Sequence, residues 1–185
     1  MTNLRSAYPA LGVLELSSIA TGIATCDAIV KKADVRIIRS ETTHPGKYLI
    51  VFRGGVEEVN ESMRAGLNVG RRALIDHVVL PNPHERLESV FESPTAYVAG
   101  SVGIIEAYSL AGIIRAADAV LKMAETTALK IRLGDHIGGK GYFIFCGELH
   151  DVEFAMAAGQ EALGDGLLIS TEIIANPHED LVIAL

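Results

Sequence analysis

Apolar residues change their spacing several times along the chain, and the changes come in the same order twice. A β-type run at 11–16 leads into a stretch where Ile19, Ile23, Cys26 and Val30 recur at helical spacing. This predicts a strand followed by a helix with those four residues on its apolar face. Residues 102–107, followed by Leu110, Ile114, Ala117 and Leu121, repeat the pattern. Two strands come next in each half, 35–41 and 48–52 in one, 128–133 and 142–145 in the other, each pair joined by a glycine-containing turn. A second helix is predicted from Val56, Val59, Met63 and Leu67, and again from Leu149, Val152, Met156 and Leu163. A last strand (77–80; 168–174) runs into Asn-Pro-His-Glu, where proline is placed to open a short terminal helix.

The two halves align residue by residue, which makes the chain a tandem repeat. Gly12 and Glu15 match Gly103 and Glu106 at an offset of 91, as Asp27 and Lys31 match Asp118 and Lys122. Short insertions raise the offset to 93, pairing Lys47 with Lys140, and then to 94, pairing Asn82-Pro83-His84-Glu85 with Asn176-Pro177-His178-Glu179. Each copy reads β-α-β-β-α-β, the ferredoxin-like arrangement of an α+β fold with helices on one sheet face. The expected domains are 10–93 and 94–185.

Composition adds a constraint on association. Of the 185 residues 49% are hydrophobic and mean hydropathy is +0.31, yet only 5% are aromatic and tryptophan is absent. Modules this small have little interior for so much aliphatic surface, so burial between subunits is expected. No apolar run reaches the length of a bilayer span and the start lacks a secretory hydrophobic region, so a cytoplasmic protein is expected. Cys26 and Cys146 form no paired motif and read as small core residues. Residues 1–93 are neutral, with eleven cationic and eleven anionic side chains, whereas 94–185 carry five against twelve. An acidic chain of this kind is a poor partner for nucleic acid.

No catalytic constellation emerges. Gly134 to Gly141 nearly spells a phosphate-binding loop, but Gly141 stands where a magnesium-binding hydroxyl is required and a strand follows where a helix must start. Glu15 and Glu106 sit in equivalent rather than opposed environments, so they do not suggest paired acid/base work. His84 and His178 repeat in separate modules and read as packing or capping residues. Neither a Ser-His-Asp nor an HExxH arrangement is present, and the protein is not expected to be an enzyme.

The opening Gly-(Val/Ile)-(Leu/Ile)-Glu, the helix-ending Asp-Ala-x-x-Lys-x-Ala, the Gly-Lys turn and the closing Pro-His, in this order and twice over, resemble the shell-protein domain of bacterial microcompartments. The duplication resembles the tandem class, and residues 10–20 and Ile137-Gly138-Gly139-Lys140 resemble the tandem shell protein of propanediol-utilisation compartments. The resemblance implies a homotrimer forming a pseudo-hexameric tile, a hexagonal layer shared with other shell proteins, and a central pore passing small metabolites. Pore-lining positions would be Thr43, His44, Pro45, Gly46 and Lys47 together with Asp135, His136, Ile137, Gly138, Gly139 and Lys140. Tile-edge positions would be Lys31, Lys122, Asn82 and Asn176, the asparagines standing where the family often has arginine. In the resembled protein a cysteine at the position of His44 holds an iron–sulfur cluster on the threefold axis. Imidazole is not the usual cluster ligand, so no cluster is expected here. Two other readings remain: a pore-centred metal or redox carrier using His44, and a ligand-sensing regulator.

Overall fold

The computed structural model describes residues 9–87, 91, 100–164, 167–178 and 181. The chain divides into two compact units, Met1–Pro83 and His84–Leu185. The first is built from β1 (Ala10–Leu16), α1 (Ile19–Lys32), β2 (Arg36–Thr43), β3 (Lys47–Gly54), α2 (Val56–Gly70) and β4 (Leu74–Pro81). The second follows the same order with β5 (Ser101–Ala107), α3 (Leu110–Met123), β6 (Thr127–Leu133), β7 (Gly141–Gly147), α4 (Leu149–Leu163) and β8 (Leu168–Ile174). Each sheet is antiparallel, in the order β2-β3-β1-β4 or β6-β7-β5-β8. The predicted strands and the two long helices of each copy are present, and the duplicated order gives two copies of the ferredoxin-like α+β module.

Local chemistry accounts for the helix starts. Ser18 Oγ accepts the Thr21 N–H at 3.3 Å and Ser109 Oγ accepts the Gly112 N–H at 2.8 Å, so both first helices open on a serine cap. The repeated motif glycine has a packing reason. A Cβ on Gly12 would lie 2.4 Å from Phe52 Cζ, and one on Gly103 would lie 2.4 Å from Phe145 Cζ. Each glycine pairs with its phenylalanine across the sheet, leaving room for the ring to lie over the neighbouring strand. In the first unit that ring joins Leu14, Leu16, Ile29, Ile50, Val59 and Met63 in the core between helices and sheet.

One expectation is corrected. The face of α1 that enters the core is Gly22, Thr25 and Ile29. The more hydrophobic stripe is open, with Ile19, Ile23 and Val30 being 40%, 57% and 43% exposed. The sheet is so close that a Cβ on Gly22 would sit 2.4 Å from Tyr48, so the contact selects small residues over large apolar ones. In α3 the corresponding Leu110, Ile114, Ala117 and Leu121 are buried, as expected. At the closing motif the described residues form a hydrogen-bonded turn, and the expected short terminal helix lies outside them. Leu87 N–H donates to the His84 carbonyl at 3.0 Å, and Leu181 N–H to the His178 carbonyl at 2.8 Å. Residues 88–90 and 179–180 lie outside the described residues.

Candidate functional site

The turns β2–β3 and β6–β7 occupy the same end of their respective sheets, and each is tied back by the same ion pair. Lys47 Nζ lies 2.6 Å from Glu15 Oε1, and Lys140 Nζ lies 3.0 Å from Glu106 Oε1. Strand register explains the pairing. Glu15 lies opposite Leu49, which places Lys47 diagonally across on the same sheet face. Glu15 is fully buried whereas the Glu106 side chain is one-third exposed. The glutamates carry no catalytic arrangement; they anchor the turns. Their repetition was visible in the sequence, but their partners lie 32 and 34 residues away and only strand pairing brings them close.

Beyond that shared root the turns differ. His44, Pro45 and Gly46 are exposed at the first tip, and Gly46 takes a φ of 102° while donating its N–H to the Thr43 carbonyl at 2.9 Å. Thr43 is buried and its Oγ1 has no hydrogen-bond partner. In the second turn Asp135, His136 and Gly138 are exposed, Ile137 and Lys140 are half-buried, and Gly139 is buried. Its glycines serve the backbone: Gly134, Gly138 and Gly139 all have positive φ, as does His136 at 61°. The turn leads into strand β7, as the failed phosphate-loop comparison required.

The predicted edge residues fall into two unequal groups. Lys31 pairs with Asp27 and Lys122 with Asp118, both at 2.6 Å, one helical turn apart. Asp27 is 58% exposed on its side chain, Asp118 only 6%. Asp118 also accepts the backbone N–H of His84 at 2.7 Å. His84 Nδ1 in turn accepts the Arg86 N–H at 3.2 Å, so this histidine shapes the closing turn. Burial, helped by the Arg86 guanidinium, holds its imidazole below the usual histidine range. Asn82 and Asn176 are exposed, and Asn82 adopts a φ of 47°, a conformation that asparagine tolerates better than arginine. Cys146 is buried as expected and Cys26 is half-buried. Among the described residues no helix is long and apolar enough to cross a membrane.

Comparison with known proteins gives a consistent answer. The BMC domain matches twice, over residues 10–83 and 101–177. The bacterial microcompartment shell protein PduT of Citrobacter freundii is 36% identical over 174 residues, covering 93% of this chain and 95% of that protein. The carboxysome assembly protein CcmO of Synechococcus elongatus is 30% identical, covering 95% of this chain and 68% of its own length. Among solved structures, a microcompartment protein of Desulfitobacterium hafniense superposes with a TM-score of 0.80 at 34% identity, over 91% of this chain and 95% of that one.

Proposed function

The chain belongs to the BMC-domain family of microcompartment shell proteins, and from that premise we propose that three copies close into a pseudo-hexameric tile whose central opening is framed by both kinds of turn. The protein is a structural component of a bacterial microcompartment shell, with two shell domains in tandem. Six domain positions filled by three chains give closed cyclic symmetry with two alternating, unlike sectors. The observation that carries this reading is the pair of turns, each fixed at its root by the same lysine–glutamate bridge while its tip differs. Around such an opening, three exposed His44 side chains would alternate with three copies of Asp135 and His136. Small metabolites would then meet a rim of imidazole and carboxylate in which two unlike turns alternate, a pattern that six identical domains cannot offer.

A solution mass near 59 kDa, three times the 19.7 kDa chain, is expected by sedimentation equilibrium, and a stable 19.7 kDa species would overturn the proposal. No catalytic role is assigned. We propose that the opening holds no iron–sulfur cluster, because His44 supplies imidazole where a cluster needs thiolate. Cluster absorbance after anaerobic reconstitution, lost on His44→Ala, would reverse that assignment.

A further inference from the structure

Lys130 and Arg132 of β6 and Tyr142 of β7 share one face of the second sheet with no carboxylate among them. Lys130 lies opposite Ile144 and Arg132 opposite Tyr142, so alternation along both strands turns all three to the same side. The first copy treats this place differently. Its equivalent residues are Arg39, Glu41 and Leu49, where Arg39 and Glu41 form an ion pair at 3.1 Å and Leu49 is fully buried. The second copy thus has an arginine in place of the acid and a phenol in place of the apolar side chain. Among the described residues Lys130 Nζ and Tyr142 Oη make no hydrogen bond or ion pair, and Arg132 makes a single long one, from Nη2 to the Asp135 carbonyl at 3.5 Å. The carboxylate that register places across from Tyr142, Glu106, is held by Lys140, and Glu172 lies a further strand away, opposite Ile104.

We propose that Lys130, Arg132 and Tyr142 form a binding site for a small oxyanion, a carboxylate or phosphate group, at the foot of the second turn. Two cations side by side without a counter-ion repel each other, and an anion between them removes that penalty. The guanidinium offers a planar fork for two oxygens, the ammonium a point charge, and the phenol a neutral donor. Burial holds the Tyr142 phenol above its usual range, which keeps it protonated as a donor. The donors are also within reach. The unpartnered side-chain atoms sealed from solvent are Thr25 Oγ1, Thr43 Oγ1, Arg53 Nε and Thr126 Oγ1, so the Lys130 ammonium and the Tyr142 hydroxyl reach the surface. Lys130 as a whole is only 8% exposed, so its stem is fixed by packing while its head stays open to a ligand. Because all three residues belong to one chain, this site does not depend on how many copies assemble.

The test titrates inorganic phosphate and, separately, acetate into the whole wild-type protein in a low-chloride zwitterionic buffer, read by isothermal titration calorimetry. Saturable binding of at least one of the two is expected; phosphate alone identifies a phosphate site, acetate alone a carboxylate site. Arg132→Glu, which restores the arrangement of the first copy, and Lys130→Gln should each weaken that binding by about tenfold or more, because each removes a charged hydrogen bond. Tyr142→Phe, which removes only a neutral donor, should weaken it by about threefold. Far-ultraviolet circular dichroism is expected to be unchanged in all three variants. If neither anion saturates the wild type, the site is overturned; a carboxylate of a neighbouring copy filling the same place would give that result. Binding that persists at wild-type strength in both Arg132→Glu and Lys130→Gln overturns it equally, since the anion then sits elsewhere. Either failure leaves the tile reading standing, because that reading is judged by sedimentation mass.

Discussion

The edge strand β2 carries Arg39 ion-paired to Glu41 at 3.1 Å, whereas β6 carries Lys130 and Arg132 at the same register positions. One strand neutralises itself; its duplicate places two cations side by side. Lys130 is only 8% exposed. Burial and then the Arg132 guanidinium push its ammonium below the usual lysine range, while burial raises the Tyr142 phenol beside it. By contrast, the glycine–phenylalanine contacts and the lysine–glutamate bridges appear in both units with closely similar geometry. Duplication has kept the contacts that define the module and released the charges that do not. The two units therefore share a fold and differ in electrostatics.

The largest test of this division concerns the turn anchors. Glu15→Gln strands a lysine beside a fully buried site, and removing one partner of such a pair costs about 3 kcal/mol or more. Glu106→Gln, at a partly exposed bridge, should cost about 1 kcal/mol. Urea denaturation of the two variants checks the ranking, and equal losses would contradict the burial difference. Next in size, Gly12→Ala and Gly103→Ala should each lower stability by about 2 kcal/mol, because each added methyl meets a phenyl ring. Thermal unfolding that separated these two widely would show that the modules are less alike than their geometry.

Smaller effects probe the diverged charges. Arg132→Glu rebuilds in β6 the arrangement of Arg39 and Glu41, and should stabilise the protein by about 0.5 kcal/mol at neutral pH. The same variant carries a pH signature. Folded Lys130 loses its proton at lower pH than an unfolded lysine, so between those two values the unfolded chain binds more protons. Stability contributed by Lys130 therefore rises with pH as 10.5 is approached, and Arg132→Glu should flatten that rise in melts across the alkaline range. The smallest effect belongs to His84. Its folded form resists protonation, so its contribution falls as pH drops below 6.5, and His84→Gln should remove that part of the acid dependence in chemical denaturation.

The repeat, the order of elements and the ferredoxin-like topology were legible because periodicity and a stable offset survive in one dimension. The core face of α1 was not. Hydrophobicity singled out Ile19, Ile23 and Val30, while the core selects Gly22 and Thr25 for close approach to β3. A pattern search reads apolar periodicity and cannot tell a face that is buried from one that stays exposed. The turns were located correctly, but the identity of their anchors required register, since Glu15 and Lys47 meet only when β1 and β3 pair. Lys130 was equally hidden: a bulge between Ala128 and Lys130 disturbs the alternation that would have marked its face.

A turn tied down at its root behaves as an interchangeable cassette. Because Lys47 and Lys140 fix where each turn leaves the sheet, the tip between them can change in length, handedness and charge without altering the module beneath. His44-Pro45-Gly46 and the longer glycine-rich tip before Lys140 are two inserts already carried by the same mount. Exchanging one for the other would rewrite the chemistry of the turn while leaving the sheet that holds it intact.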